Sequence, residues 1–269
     1  MVKEKYYTSV AEYYDADAGT FDERYSVNPV LQKIRSAFRE EVSRHSFKTI
    51  LEIGFGTGID ICYFASKYPN AEVCGIDISE EMHRNAEKKV HEKNLDNVTL
   101  KTGTPEQIQE LFPGKSFDHI FVFFGALNTV ADLKETAKIL RESVSPEGAM
   151  VISFVNKWYL ADMLIHIVKL RPSIAFRRLR NIWGGYSDLK RLESRCYSTS
   201  DIRRAFGEDF VITGKSGYSI LYPAWYRLSL LYRLGERVSN LLWRADMLLN
   251  KTPFRRFGEY SLYTFRPRQ

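Results

Sequence analysis

LEIGFGTGID, residues 51–60, is the stretch that decides the fold. A short apolar run carrying Glu52 ends in Gly54-Phe55-Gly56-Thr57-Gly58, and helical periodicity follows from 58 to 68, the signature of a strand that turns on glycines into a helix. Glycines at such a turn let the backbone come close to a ligand. A dinucleotide fingerprint, GxGxxG, would place its third glycine at residue 59, which is isoleucine, and would set a diphosphate at the helix N-terminus. The spacing here is GxGxG, and a carboxylate, Glu52, stands two residues before the first glycine. An acidic strand end suits a ligand with a positive group better than a diphosphate.

Downstream, short apolar runs alternate with amphipathic stretches. Strands are expected at 49–54, 71–77, 97–103, 117–124 and 149–155, and helices near 58–68, 80–94, 105–112 and 131–144, with Pro146 and Gly148 making a turn into the fifth strand. This is the pattern of a parallel sheet covered on both faces. Asp77, at the end of the second strand, is placed to accept both hydroxyls of a ribose; its competing role, capping the next helix, is one that Ser79 can fill.

After Asn156 the alternation stops. Residues 157–181 read as two helices broken by Pro172, Gly184-Gly185 as a loop, and 198–206 as a helix capped by Ser200 or Asp201. A sixth strand is expected at 209–217, a long helix at about 222–250 and a final strand at 259–267. On 157–171, Leu160, Met163, Leu164, Ile167 and Leu170 recur at helical spacing, a stripe that is more often core than pocket.

These motifs together resemble the class I S-adenosylmethionine-dependent methyltransferases, over about residues 49–155 and more weakly over the last two strands, with small-molecule and quinone-type enzymes the nearest kind. Glu52 to Gly58 matches that family's E/D-x-G-x-G-x-G motif. The resemblance implies a Rossmann-like α/β fold with a seven-stranded, mostly parallel sheet, helices on both faces and a helical cap inserted after strands five and six. It implies S-adenosyl-L-methionine as cofactor, with Gly54, Phe55, Gly56, Thr57 and Gly58 beside its amino-acid part and Glu52 acting on the amino group. Asp77 would hold the ribose and Ile78 pack on adenine. The family's third-strand Gly-Asp-Ala is here Gly103-Thr104-Pro105-Glu106, so adenine contact falls to Thr104, Glu106 or backbone, with Pro105 between them. Phe123, at the fourth strand's end, would lie beneath the sulfonium. The stretch 12–25 resembles the opening segment of small-molecule methyltransferases, which makes Tyr14 and Tyr25 candidates for lid contacts against a plain packing role. Asn128 is a candidate to orient a substrate oxygen or, alternatively, to cap the following helix. The organisation expected is an N-terminal helical lid (1–48), the cofactor-binding core (49–156), a cap insertion (157–208) and sheet completion with inserted amphipathic helices (209–269).

Composition bounds the rest. With 44% hydrophobic and 27% charged residues over 269, the chain is globular. Three scattered cysteines, Cys62, Cys74 and Cys196, offer neither a disulfide framework nor a zinc set, and no metal is expected. No leader or spanning segment is legible, which points to a cytoplasmic protein. Residues 1–156 carry 18 Lys and Arg against 24 Asp and Glu, a charge of −6, whereas 157–269 carry 21 against 9, or +12. Sixteen of those 21 bases are arginines interleaved with Trp, Tyr and Leu. Solvated helix faces are the plain explanation, and peripheral contact with a lipid headgroup boundary or the roof of an apolar pocket is the functional one.

No histidine stands out as a base: His83 and His91 are expected to face solvent, His45 precedes the first strand, His119 starts the fourth strand away from the turn, and His166 lies in the cap. The acceptor expected is small or lipid-like, with a soluble sugar or secondary metabolite as the alternative. Nucleic acid is disfavoured because Phe123-Phe124-Gly125-Ala126 replaces the Asp/Asn-Pro-Pro-Tyr/Phe device that binds base amines. A non-catalytic cofactor-binding or RNA-binding module is the reading of another class.

Overall fold

The computed structural model describes residues 2–180 and 192–269. Seven strands form one sheet in the order β3-β2-β1-β4-β5-β7-β6. They are β1 (Thr49–Ile53), β2 (Glu72–Asp77), β3 (Val98–Thr102), β4 (Phe117–Val122), β5 (Val144–Val155), β6 (Phe210–Tyr218) and β7 (Tyr260–Pro267). The first five pair in parallel, and β7 runs antiparallel between β5 and β6. The helices are α1 (Val2–Ser26), α2 (Pro29–Ser43), α3 (Ile59–Lys67), α4 (Glu80–Glu92), α5 (Ile108–Leu111), α6 (Leu133–Ser143), α7 (Leu160–Val168), α8 (Pro172–Ala175), α9 (Thr199–Phe206) and α10 (Leu228–Leu249).

Both faces of the sheet are buried, which is why its strands read as continuous apolar runs. Successive residues enter opposite layers: Leu51, Ile53, Cys74, Ile76, Ile120 and Val122 pack with α6 and α9, whereas Ile50, Val73 and Phe121 pack with Ile34, Phe38 and Val42 of α2 and Phe64 of α3. A fully buried Phe such as Phe121 contributes roughly 1.5–3 kcal/mol. Helix α2 starts where Asn28 accepts from the N–H groups of Val30 (3.1 Å) and Leu31 (3.2 Å), with Pro29 in the first turn. Glu52 shares the α2–α3 face of β1, because strand residues two apart point the same way.

Several expectations are corrected. Pro146 and Gly148 do not separate β5 from α6: β5 begins at Val144 and the pairing jumps from Phe117–Val144 to His119–Ala149, so residues 145–148 form a bulge within the ladder. The cap of α9 is Ser198, whose Oγ accepts from Asp201 N–H (3.3 Å) while Asp201 accepts from Ser198 N–H (2.9 Å), a reciprocal box in which Asp201 is the third helical residue. Residues 222–227 are not helical; α10 begins at Leu228 and breaks at Gly235, where φ is +72°. The stretch 105–112 is a 3-10 turn followed by the four-residue α5. His83 is largely buried, its Nδ1 2.5 Å from Thr102 Oγ1. The stripe Leu160, Leu164, Ile167 and Leu170 is exposed, not core. Pro172 does open a second cap helix, α8, as expected. The Gly184-Gly185 loop and residue 181 lie outside the described residues.

Candidate active site

The sheet order reverses between β1 and β4, and in open α/β sheets ligands bind beyond the strand C-termini at such a point. A cavity of about 1180 Å³, counting its open mouth, lies there. Its floor comes from residues at or just beyond the ends of the first four strands: Gly54 and Gly56, Asp77 and Ile78, Gly103 and Pro105, and Phe123 and Phe124.

The glycine turn is crowded at Gly54 and Gly58 and left-handed throughout. Gly54, Gly56 and Gly58 have φ of +73°, +55° and +76°, and a Cβ on Gly54 would lie 2.4 Å from that of Ala126. Asp77 braces the turn, its Oδ2 accepting from Gly56 N–H (2.7 Å) and its Oδ1 from Ser79 N–H (2.9 Å). Burial pushes its carboxyl up to about 6 against these donors and the N–H of Ile78. Ser79, not Asp77, caps α4, its Oγ accepting from Met82 N–H (3.1 Å).

Glu52 is almost fully buried beside this turn, and its Oε2 has no hydrogen-bond partner. Burial raises its pKa well above the usual carboxylate range; nearby Asp60 adds to the rise, and Arg35 and Arg39 oppose it. Both arginines are already engaged by Asp60, Arg35 through Nη1 and Arg39 through Nε at 2.6 Å. A buried acceptor without a donor is costly, and a cationic ligand group would complete it.

Helix α1 roofs the cavity. Tyr7, Val10, Tyr14, Asp17, Phe21 and Arg24 recur every three or four residues along one face and line it, with Tyr13 and Tyr25 beside them. Arg24 makes two parallel bonds to Asp17, at 2.9 and 2.5 Å. Arg35 lies 4.7 Å from the rings of both Tyr25 and Phe124. Phe124, with φ of +52°, holds a sparsely populated conformation at the site. The roof is pinned at several points: Asp15 accepts from Ser79 Oγ (2.5 Å) and Glu81 N–H (3.1 Å), Asp22 pairs with Lys89, and Tyr7 donates to Glu106.

Of the residues singled out from sequence, Glu52, Gly54, Phe55, Gly56, Asp77, Ile78, Pro105, Phe123, Tyr14 and Tyr25 line this one cavity. The others stand outside its lining. Thr57 donates its hydroxyl to Asp22, and Gly58 packs on Ala86. Thr104 caps the 3-10 turn, its N–H donating to Gln107 Oε1 (3.0 Å), and Glu106 faces α1, where it pairs with Lys3 (3.4 Å). Asn128 neither faces the cavity nor caps α6, which Asp132 does. Its Oδ1 accepts from Val155 N–H (3.0 Å) and its Nδ2 donates to the carbonyls of Val155 and Arg195, tying β5 to the segment before α9. Tyr7, Val10, Asp17, Phe21, Arg24, Arg35 and Asp60 were not anticipated. The three-and-four spacing on α1 was the available signal.

The groups present fit S-adenosylmethionine. Glu52 offers an unpartnered carboxylate oxygen for an ammonium, Gly54 and Gly56 a turn free of Cβ atoms, and Asp77 a carboxylate at the cavity floor for ribose hydroxyls. Fold and site together have the arrangement of class I S-adenosylmethionine-dependent methyltransferases, which this chain resembles. Residues 50–148 match the family described as "Methyltransferase domain". Among curated relatives, a tRNA (guanine-N(7)-)-methyltransferase of Thermotoga maritima is 32% identical over 135 residues, 46% of this chain and 42% of that protein. A demethylmenaquinone methyltransferase of Geobacillus kaustophilus is 37% identical over 83 residues, 31% and 34% of the two chains. This chain thus spans less than half the length of either. The fold extends further: the solved structure described as the DhpI-SAH complex covers 97% of both chains with a TM-score of 0.60 at 16% identity.

Proposed function

We propose that this chain transfers a methyl group from S-adenosylmethionine to a small acceptor with an apolar or aromatic body. One observation carries the reading: a single cavity joins the Glu52, Gly54, Gly56 and Asp77 cradle to an aromatic end built from Phe21, Tyr25, Phe124, Trp225 and Tyr260. Those rings pack on one another, Tyr25 5.5 Å and Tyr260 5.6 Å from Phe124. Such walls match an apolar or lipid-like acceptor better than a sugar.

The bound cofactor supplies an electrophilic methyl on a positively charged sulfur. The protein holds the acceptor in line and keeps water out, and α1 with its pinning bonds serves both ends. Among the described residues no histidine lines the cavity. Burial raises the phenols of Tyr14 and Tyr25, so they stay protonated and act as donors. Asp17 and Asp60 are held by arginines. Positioning is therefore the main contribution, best suited to an acceptor atom that is already unprotonated.

The test has two stages. Calorimetry with S-adenosylhomocysteine reads the cradle, and absence of heat removes the reading. Release of S-adenosylhomocysteine from S-adenosylmethionine is then followed against prenylated phenols, acyl-bearing amines and soluble sugars. Turnover confined to the sugars overturns the apolar acceptor, and binding without turnover on any of them favours a non-catalytic module.

A further inference from the structure

Helix α7 is built inside out. Seven of the nine residues in LADMLIHIV are apolar, yet the residue it buries is Asp162. That carboxylate is turned inward onto Arg227 (2.7 Å), Tyr226 Oη (3.2 Å) and Arg177 (3.5 Å). Leu164, Ile167 and Val168 are 51%, 44% and 81% exposed. A surface helix facing water does the reverse.

The helix ends on a second anomaly. Leu170 N–H donates to Ile167 O (2.9 Å) and Arg171 N–H to His166 O (2.8 Å), the paired bonds of a helix stop that favours glycine at the residue of positive φ. Here that residue is Leu170, with φ of +55° and 89% of its surface exposed. No burial against the described residues compensates for the strained leucine.

Bases predominate around this face, with exposed Glu236 one turn beyond Arg233 on α10. Between 157 and 180 the sole acid is the buried Asp162, while Lys169, Arg171 and Arg180 are exposed. Across a cleft from α7, the first turns of α10 present Leu230, Tyr232 and Arg233. Lys169 and Arg233 flank that cleft from opposite sides, and neither has an acidic partner within salt-bridge distance among the described residues.

We propose that α7, Leu170 and the first turns of α10 form a docking face for an anionic lipid surface. The aliphatic side chains would enter the headgroup boundary and the bases would meet lipid phosphates. Charge complementarity selects an anionic partner. The exposed aliphatic tips of Leu164, Ile167, Val168, Leu170 and Leu230 outnumber the exposed rings of Tyr226 and Tyr232, which favours a bilayer over single-stranded RNA, a ligand that uses aromatic stacking platforms. No described helix is long and apolar enough to cross a membrane, so the contact is peripheral. Trp225 lines the cavity while Tyr226 and Arg227 line the cleft, so docking would set the cavity wall beside the bilayer. The proposal does not depend on the identity of cofactor or acceptor.

Co-sedimentation of the full chain with phosphatidylglycerol vesicles and with phosphatidylcholine vesicles, at about 0.1 M salt, tests it. Binding is expected to the anionic vesicles alone, to fall at higher salt, and to be lost in I167S/L170S. K169E/R233E removes two bases worth about fivefold each and should weaken partition at least ~25-fold. Because both of those side chains are exposed, this variant carries the test should I167S/L170S unfold. No sedimentation with anionic vesicles, equal sedimentation with both kinds, or full binding by either folded variant overturns the proposal. So does a uridine oligomer that displaces the vesicles and binds I167S/L170S as tightly as the parent. Titration with S-adenosylhomocysteine reads the cavity separately, and both variants should bind it like the parent.

Discussion

Replacing Glu52 by glutamine separates what a buried carboxylate does for the ligand from what it costs the fold. Its Oε2 lacks a donor, its like-charged neighbour is Asp60, and the two nearby arginines are held by that same Asp60. A cationic ligand group is therefore the missing partner, and a hydrogen bond to a charged group is worth about 1.5–3 kcal/mol. E52Q should weaken S-adenosylhomocysteine binding by roughly 10- to 150-fold. The unliganded protein should respond in the opposite sense. Because burial raises the folded-state pKa of Glu52, the native state binds its proton more tightly than the unfolded chain does, so stability from this group is present at low pH. It is lost as pH rises from the ordinary carboxylate value through the elevated folded one. Asp77, raised to about 6, contributes a slope of the same sign that E52Q leaves in place. Thermal melts at pH 5 to 8 should thus show E52Q more stable than the parent at the upper end and similar at the lower. Calorimetry at the same pH values should show parent affinity rising with pH as Glu52 ionises. Unchanged affinity in E52Q, or a parent affinity that falls as pH rises, would refute the assignment of Glu52 as the cation's partner.

Gly58→Ala places a Cβ 2.8 Å from that of Ala86 at φ of +76° and should cost about 2–3 kcal/mol in urea unfolding; a loss under ~0.5 kcal/mol would show that the turn relaxes freely. Asp246→Ala strips the acceptor from the N–H groups of Ile220 (2.9 Å), Leu221 (2.7 Å) and Tyr222 (3.3 Å). The expected cost is about 2–4 kcal/mol, with faster amide exchange across that segment; exchange unchanged there would mean another acceptor takes over. Leu170→Gly relieves a left-handed leucine and should raise the melting temperature through a gain of about 0.5–1 kcal/mol, while weakening vesicle binding. A destabilised L170G would mean the leucine packs where its exposure says it does not.

The parallel core was legible because its signals are local. Apolar runs of strand length, glycines at Gly54, Gly56 and Gly58, and an acid closing β2 each report on their own neighbourhood, and the cavity floor assembles from them. The bulge at 145–148 was misread as a turn because Pro and Gly break a helix and a ladder by the same local means, and only pairing with β4 shows which occurred. That Asn128 and Glu106 stand outside the cavity lining was not legible, because a polar tip and a buried strut look identical in sequence; their partners lie at Arg195 and Tyr7.

By itself the sequence determined the sheet, the glycine turn and the placing of Glu52 and Asp77 beside it, since strand period and backbone conformation depend on near neighbours. Tertiary structure alone decided that Tyr7, Asp17 and Arg24 join the roof that α1 makes, that Arg35 and Asp60 stand at the cavity wall, and that the apolar stripe of α7 faces outward. Helical periodicity says which residues share a face and nothing about which face is turned inward. For α7 that orientation follows from the inward hold of Arg227 and Tyr226 on Asp162, residues more than sixty positions away in the chain.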